Sequence, residues 1–227
     1  VAMDCARMLA IDPIELDPTD TADHAIAALK NSKIKKVYIC ARRGAEFAAF
    51  TAPEIRELLD LEHTNVLVNK DAVKDAVFRA GENPEKNVKS NLDAMTAIAE
   101  REQTNHDRTM QFEFGWVPTE IKGSGKVEEI VFNDGKHTIK CGLVITAIGY
   151  TSKALPGVEF KNIDGFIRDN IYVVGWAKRG PSGVIGTNKS DAAEVMQLMV
   201  SKLNHPKPEF DLTNELKNKK IVSQENW

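Results

Sequence analysis

The sequence predicts an α/β protein built around a parallel sheet, and three observations carry that expectation. Helical and strand-like segments alternate over the first 70 or so residues, the order expected when helices cover a sheet of parallel strands. The strand-like segments there are short continuous apolar runs such as KVYICA, suited to burial on both faces. Further on, period-two alternation around an Asp-Gly pair predicts an antiparallel hairpin set into the α/β frame.

In order along the chain, Val1, Cys5, Met8 and Leu9 fall on one helical stripe, and Pro13 and Pro18 end that pattern. A second helix is expected from Asp20, with Asp23 as a first-turn acid, to about Asn31. Lys36–Ala41 reads as a buried parallel strand ending in the sequence RRG. Thr51-Ala52-Pro53-Glu54 has the form of a capping box and predicts a helix to about Leu61. NVLV is another strand. Asp71 to about Arg101 is mostly helical and polar, broken by GENPEKN. The segments TMQFEFGWVPTEI, KVEEIVF and KHTIKC then alternate as antiparallel strands do, with Asp134-Gly135 as a turn. Gly142–Tyr150 is a continuous apolar run expected to be a strand, IYVV is one more, and Ser182 to about Leu203 is a final helix. NHPKPEF leads into a polar tail ending at Trp227. The change of texture places a domain boundary near Lys140, giving domains 1–140 and 141–227.

At 227 residues the chain is long enough for one large or two ordinary domains. Apolar residues make up 42% and charged residues 28%, enough to bury a sizeable core in water. A net charge of −3 argues against a nucleic-acid binder held by a basic field. The three cysteines, Cys5, Cys40 and Cys141, lie apart in apolar segments. They show no metal spacing, so buried, inert thiols in a reducing compartment are expected. No apolar run is long enough to span a membrane, and no export signal is visible.

The chemistry concentrates in YVVGWAKRGPSGVIGTN, Tyr172–Asn188. A strand delivers Trp176 beside the cations Lys178 and Arg179, and glycines let a backbone approach a flat ligand closely. Gly183, Val184 and Ile185 open a helix whose first amides carry partial positive charge, a setting for a ring that becomes anionic on reduction or for a phosphate. Arg42 and Arg43 follow a strand, where ligands lie in doubly wound folds. They are read either as a fork for a 2′-phosphate or as solvated side chains. Glu54 is explained by the capping box, with a ligand role as an addition. Lys178 and Arg179 either meet an acidic partner or the nucleotide, or stand solvated beside the site. The opening helix has the character of one that follows a glycine-rich nucleotide turn.

Taken together, VAMDCARML, RRGAEFAAFTAPEIREL, FEFGWVPTEIKGSGKVEEIVF, LVITAIGY and VVGWAKRGPSGVIGTNKSDA resemble the adrenodoxin-reductase-like ferredoxin–NADP⁺ reductases, collinearly over most of the chain. The resemblance implies a three-layer, Rossmann-like FAD/NAD(P)-binding fold with an NADP domain inserted into an FAD domain. It implies electron flow from NADPH through FAD to a ferredoxin or adrenodoxin-like iron–sulfur protein. It assigns Val1, Arg42, Arg43, Glu54 and Gly183 to NADP, and Trp176, Gly183, Val184 and Ile185 to FAD. No catalytic acid or base and no metal ligand is implied within these residues. The FAD-type GxGxxG turn is missing, and of the NADP turn only its last residue, Val1, is present. The chain therefore reads as the C-terminal half of such a reductase, shortened at both ends and expected to be inactive in isolation. Bacterial cytoplasm is the expected compartment, with the mitochondrial matrix as the alternative. Two other readings stay open: an electron-input subunit like the small subunit of glutamate synthase, and a truncated chain with no activity of its own. The glutamate-synthase relatives carry Gly-Asp where this chain has Gly175-Trp176.

Overall fold

The computed structural model describes residues 1–102, 105–151, 153, 155–158, 164–183 and 185–203, the side chain of Ile185 excepted. The chain divides into two units, Val1–Ala147 and Ile148–Trp227.

In the first unit, helix α1 (Ala2–Ala10) packs on a three-stranded parallel sheet. Its buried face is Met3, Ala6 and Ala10, not the predicted Val1, Cys5, Met8 and Leu9 stripe. Small residues win that face because they allow the helix to lie close to β1 (Lys36–Ala41) and β3 (Arg108–Phe114). Helix α2 begins at Asp23 and ends at Lys30, three residues later than expected. The Thr19 hydroxyl bonds the Leu16 carbonyl at 2.7 Å, and the Thr21 N–H bonds Thr19 Oγ1 at 3.2 Å. Local side-chain bonds of this kind compete with helix start and hold residues 19–21 in a turn.

Strand β3 stands between β1 and β2 (Thr64–Val68), parallel to both, with Val37 opposite Met110 and Val66 opposite the same residue. The alternation in the sequence places this segment in the antiparallel set. An alternating strand serves either direction, and here β3 fills the sheet centre, where Met110 and Phe112 are fully buried. β1 lies at an edge and is only half-buried. Around β3 the core gathers Ile55, Leu58, Met95 and Ile98 from α3 (Ala52–Arg56), the 3₁₀ turn after it and α5 (Lys86–Glu100). Helix α4 (Lys70–Ala80) starts where the Asn69 side chain accepts from the N–H groups of Asp71 and Ala72, an ordinary N-cap. GENPEKN separates α4 from α5, as expected.

The antiparallel set is β4 (Pro118–Lys122), β5 (Glu129–Phe132) and β6 (His137–Lys140), in that order. Asn133, Asp134 and Gly135 all adopt positive φ to turn β5 into β6, so the predicted Asp-Gly turn is present. Gly142–Tyr150, by contrast, is not a strand. An apolar run becomes a strand only when neighbours pair with it, and no described segment does. Leu143, Ile145, Ile148 and Tyr150 are exposed.

The second unit pairs β7 (Phe166–Arg168) with β8 (Ile171–Tyr172) in a short antiparallel ribbon and adds α6 (Trp176–Arg179) and α7 (Ile185–Lys202). IYVV supplies only two ladder residues. The last helix starts at Ile185, not Ser182, because the Ser182 carbonyl accepts two bonds from Arg179, at 3.2 and 2.9 Å. No described helix is long and apolar enough to cross a membrane.

Candidate functional site

Parallel strands deliver their C-terminal ends to one edge of a sheet, and β1 ends there in Arg42 and Arg43. Both side chains are exposed, and among the described residues neither guanidinium has a hydrogen bond or ion pair. Arg43 rests over the Phe47 ring, 4.7 Å from its centre. An acid three residues on does not neutralise them. Glu46 is held by Arg79 of α4 through a two-pronged contact, Nε–Oε1 at 2.5 Å and Nη2–Oε2 at 3.2 Å. The Arg79 hydrogen bond holds the Glu46 carboxyl below its ordinary range. Gly44 permits this closeness, since a Cβ there would fall 2.2 Å from Glu46 Oε2 and 2.7 Å from Arg79 Nη2. The two arginines are thus left as uncompensated positive charge.

Glu54 closes its capping box as predicted, accepting from the Thr51 N–H at 2.6 Å and the Thr51 hydroxyl at 2.7 Å. Val1 is exposed at the N-terminal end of α1. Arg7, in the last turn of α1, pairs with Glu57 just after α3, so the C-terminal ends of the two helices are neighbours. Four sequence-predicted residues, Val1, Arg42, Arg43 and Glu54, therefore belong to the first unit.

In the second unit, Trp176 opens α6 and is half exposed. Gly183 takes a φ of +84°, and a Cβ on it would meet the Thr187 side chain at 2.7 Å. Only glycine fits that approach to α7. Val184 lies outside the described residues, and of Ile185 only the helical backbone is described. Lys178 and Arg179 are neither solvated nor turned outward. Both close on Asp191 of α7, Lys178 Nζ at 2.9 Å from Oδ1 and Arg179 Nη1 at 3.3 Å from Oδ2. The Gly175 N–H donates to Asp191 Oδ2 at 2.5 Å. These bonds, Lys178 foremost and Gly175 next, hold the Asp191 carboxyl below its usual range.

Sequence reasoning missed this acid, the Glu46–Arg79 pair and an aromatic cluster of Trp116, Phe132 and His137. The signal for the last was available: Gly115-Trp116 directly follows the strand that proves central. The thiols are free and half-buried, not fully buried. Burial, chiefly, pushes Cys40 up to about 12, so it stays a thiol at neutral pH. Among the described residues no cluster of metal-binding side chains occurs.

A parallel sheet with helices packed against it defines an α/β protein of the Rossmann-like class. The chain is similar to the NADPH–ferredoxin reductase FprA of Mycobacterium tuberculosis, 36% identical over 91% of this chain and 51% of that protein. It is also similar to the probable mitochondrial NADPH:adrenodoxin oxidoreductase of Schizosaccharomyces pombe, 31% identical over 85% of this chain and 48% of the relative. The solved structure of M. tuberculosis FprA in complex with NADPH superposes with a TM-score of 0.75 at 35% identity, covering 88% of this chain and 50% of that one. The chain spans about half the length of the curated relatives it matches. A comparison with protein-family models matches none. The family resemblance carried by the sequence motifs holds, and so does the Rossmann-like fold class.

Proposed function

We propose that this chain is about half of an FAD-dependent NADPH:ferredoxin (adrenodoxin-type) oxidoreductase. In this reading the first unit takes the NADP nucleotide and the second contributes to the FAD seat. The single observation that carries it is the exposed, unpaired Arg42–Arg43 pair at the carboxyl end of β1. Two guanidiniums there match a 2′-phosphate in charge, and Arg79 neutralises Glu46, the acid that follows them in the sequence. The relatives named for NADPH and for ferredoxin or adrenodoxin agree with that chemistry.

The residues fit the cofactors in the following sense. Arg42 and Arg43 hold the 2′-phosphate. Val1 and Glu54, at the starts of α1 and α3, are assigned to the same nucleotide. In the second unit Trp176 and the segment Gly183, Val184 and Ile185 are assigned to FAD, with Gly183 assigned to NADP as well. FAD, when bound, supplies the change from two-electron to one-electron transfer, and the protein's part is to bind and orient. Lys178 and Arg179 hold the turn through Asp191, so docking of an acidic iron–sulfur partner is assigned elsewhere. The proposed compartment is the bacterial cytoplasm or, by analogy with the yeast relative, the mitochondrial matrix.

Calorimetric titration with NADP⁺ and NAD⁺ tests the reading. The chain should bind NADP⁺ more tightly, and Arg43→Ala should remove about tenfold or more of that preference while leaving NAD⁺ unchanged. Equal losses for both nucleotides would overturn the 2′-phosphate role.

A further inference from the structure

Beyond the arginine pair, the same sheet edge carries an aromatic stack that none of the assigned roles uses. β3 runs one step past its last ladder residue and ties Arg42 into place. The Trp116 N–H donates to the Ala41 carbonyl at 3.0 Å, and the Gly115 N–H donates to the Arg43 carbonyl at 3.1 Å. Arg42 is enclosed between these two bonds, so the arginines and Trp116 share one rigid piece of backbone. The far side of Trp116 is fixed as firmly. Asn133 accepts from the Val117 N–H at 2.9 Å and donates to the Gly115 carbonyl at 3.1 Å, and the Asn133 N–H donates to the Val117 carbonyl at 2.8 Å.

On this anchor the rings are ordered. His137, at the start of β6, lies flat on the Trp116 indole, with centres 4.2 Å apart and planes 9° apart. Phe132, buried in the antiparallel set, backs the indole at 5.3 Å and 58°. Trp116 is half-buried, whereas His137 is exposed. The stack therefore ends in an exposed imidazole, and the Trp116 beneath it is tied by backbone hydrogen bonds to the segment that carries Arg42 and Arg43. An exposed stacked histidine has no packing task of its own on an edge hairpin. What it offers is a planar surface, and a purine ring laid on it would continue the stack.

The geometry points to His137, backed by Trp116, as the platform for the adenine of the 2′-phosphoadenosine whose phosphate Arg42 and Arg43 take. This rests on the NADP reading above and adds a base-recognising surface to it. The division of labour is physical: the arginines read the phosphate by charge, and the ring stack holds the base through its π-face. A 3′-phosphoadenosine carries the same base and charge, so the position of the phosphate must be tested separately.

The test is titration of the intact chain with adenosine 2′,5′-bisphosphate, adenosine 3′,5′-bisphosphate and inorganic phosphate, for wild type, His137→Ala, His137→Phe and Arg43→Ala. His137→Ala should weaken the 2′,5′-bisphosphate about tenfold and leave inorganic phosphate unchanged, and His137→Phe should restore binding. In wild type the His137 ring proton signals should move upfield as the ligand is added, a ring-current effect that a purely structural role would not produce. Tighter binding of the 3′,5′-isomer would overturn the assignment to a 2′-phosphoadenosine. Unchanged affinity in His137→Ala, with a large loss in Arg43→Ala, would sink the platform and leave the phosphate role standing. No loss in either variant would sink both.

Discussion

Asp191 shows how much one buried carboxylate organises. It receives Lys178, Arg179 and the Gly175 N–H, and it ties the turn around Trp176 to the first part of α7. From the sequence, Lys178 and Arg179 read as cations facing solvent or a ligand, because their partner lies on another element and nothing in local spacing announces it. The consequence is a pH dependence whose sign is fixed. The folded carboxyl titrates below its ordinary range, so the stabilisation is complete above the unfolded value of about 4 and is lost as pH falls through the folded one. Asp191→Asn should remove this acid-sensitive component and lower stability at neutral pH, since two cations then face each other without their counter-charge. Urea melts from pH 3 to pH 7 measure it. Curves for wild type and variant that stay parallel over the whole range would count against the role.

Elements whose ends are set by local chemistry were the legible ones. The Thr51–Glu54 box, the Asp134-Gly135 turn and the break at GENPEKN all use neighbours within a few residues, and all occur where the sequence places them. Strand pairing was not legible, because period-two alternation fixes the faces of a strand but not its direction or partners. β3 became the centre of the parallel sheet for that reason. Glu54 belongs at this scale too, since its two proposed tasks can be separated. Gln serves a capping box nearly as well as Glu, whereas Ala leaves the Thr51 N–H without its acceptor. Glu54→Ala should cost about 1 kcal/mol of stability, and Glu54→Gln much less, by thermal or urea melts. If Glu54→Gln keeps stability yet changes NADP⁺ affinity, the carboxylate acts on the ligand. If affinity is unchanged, its work is confined to starting α3.

For the whole molecule, the candidate residues were legible as types and only partly as a site. Arg42, Arg43, Glu54 and Val1 belong to one unit and Trp176 and Gly183 to the other. Gly115-Trp116 marks the ring stack in the sequence, but its partner His137 does not show there, because stacking between the end of β3 and the start of β6 depends on three-dimensional pairing. The apolar run 142–150 gives the clearest whole-chain consequence. It has strand composition but no partner among the described residues, and Leu143, Ile145, Ile148 and Tyr150 stand in solvent, with Leu155 after them. On α7, Met196, Val200 and Leu203, at i, i+4 and i+7, are exposed as well. Exposed apolar surface of this extent is unusual for a soluble monomer and drives association. An unpaired apolar run can also find strand partners in a second copy. The chain on its own should therefore self-associate with rising concentration, seen as a growing mass by light scattering on a sizing column. Ile148→Lys, placed on an 85% exposed side chain with no core to disturb, should reduce that association without lowering the melting temperature. A chain that stays monomeric across the attainable range would show that this surface is covered in solution by contacts the structure does not contain.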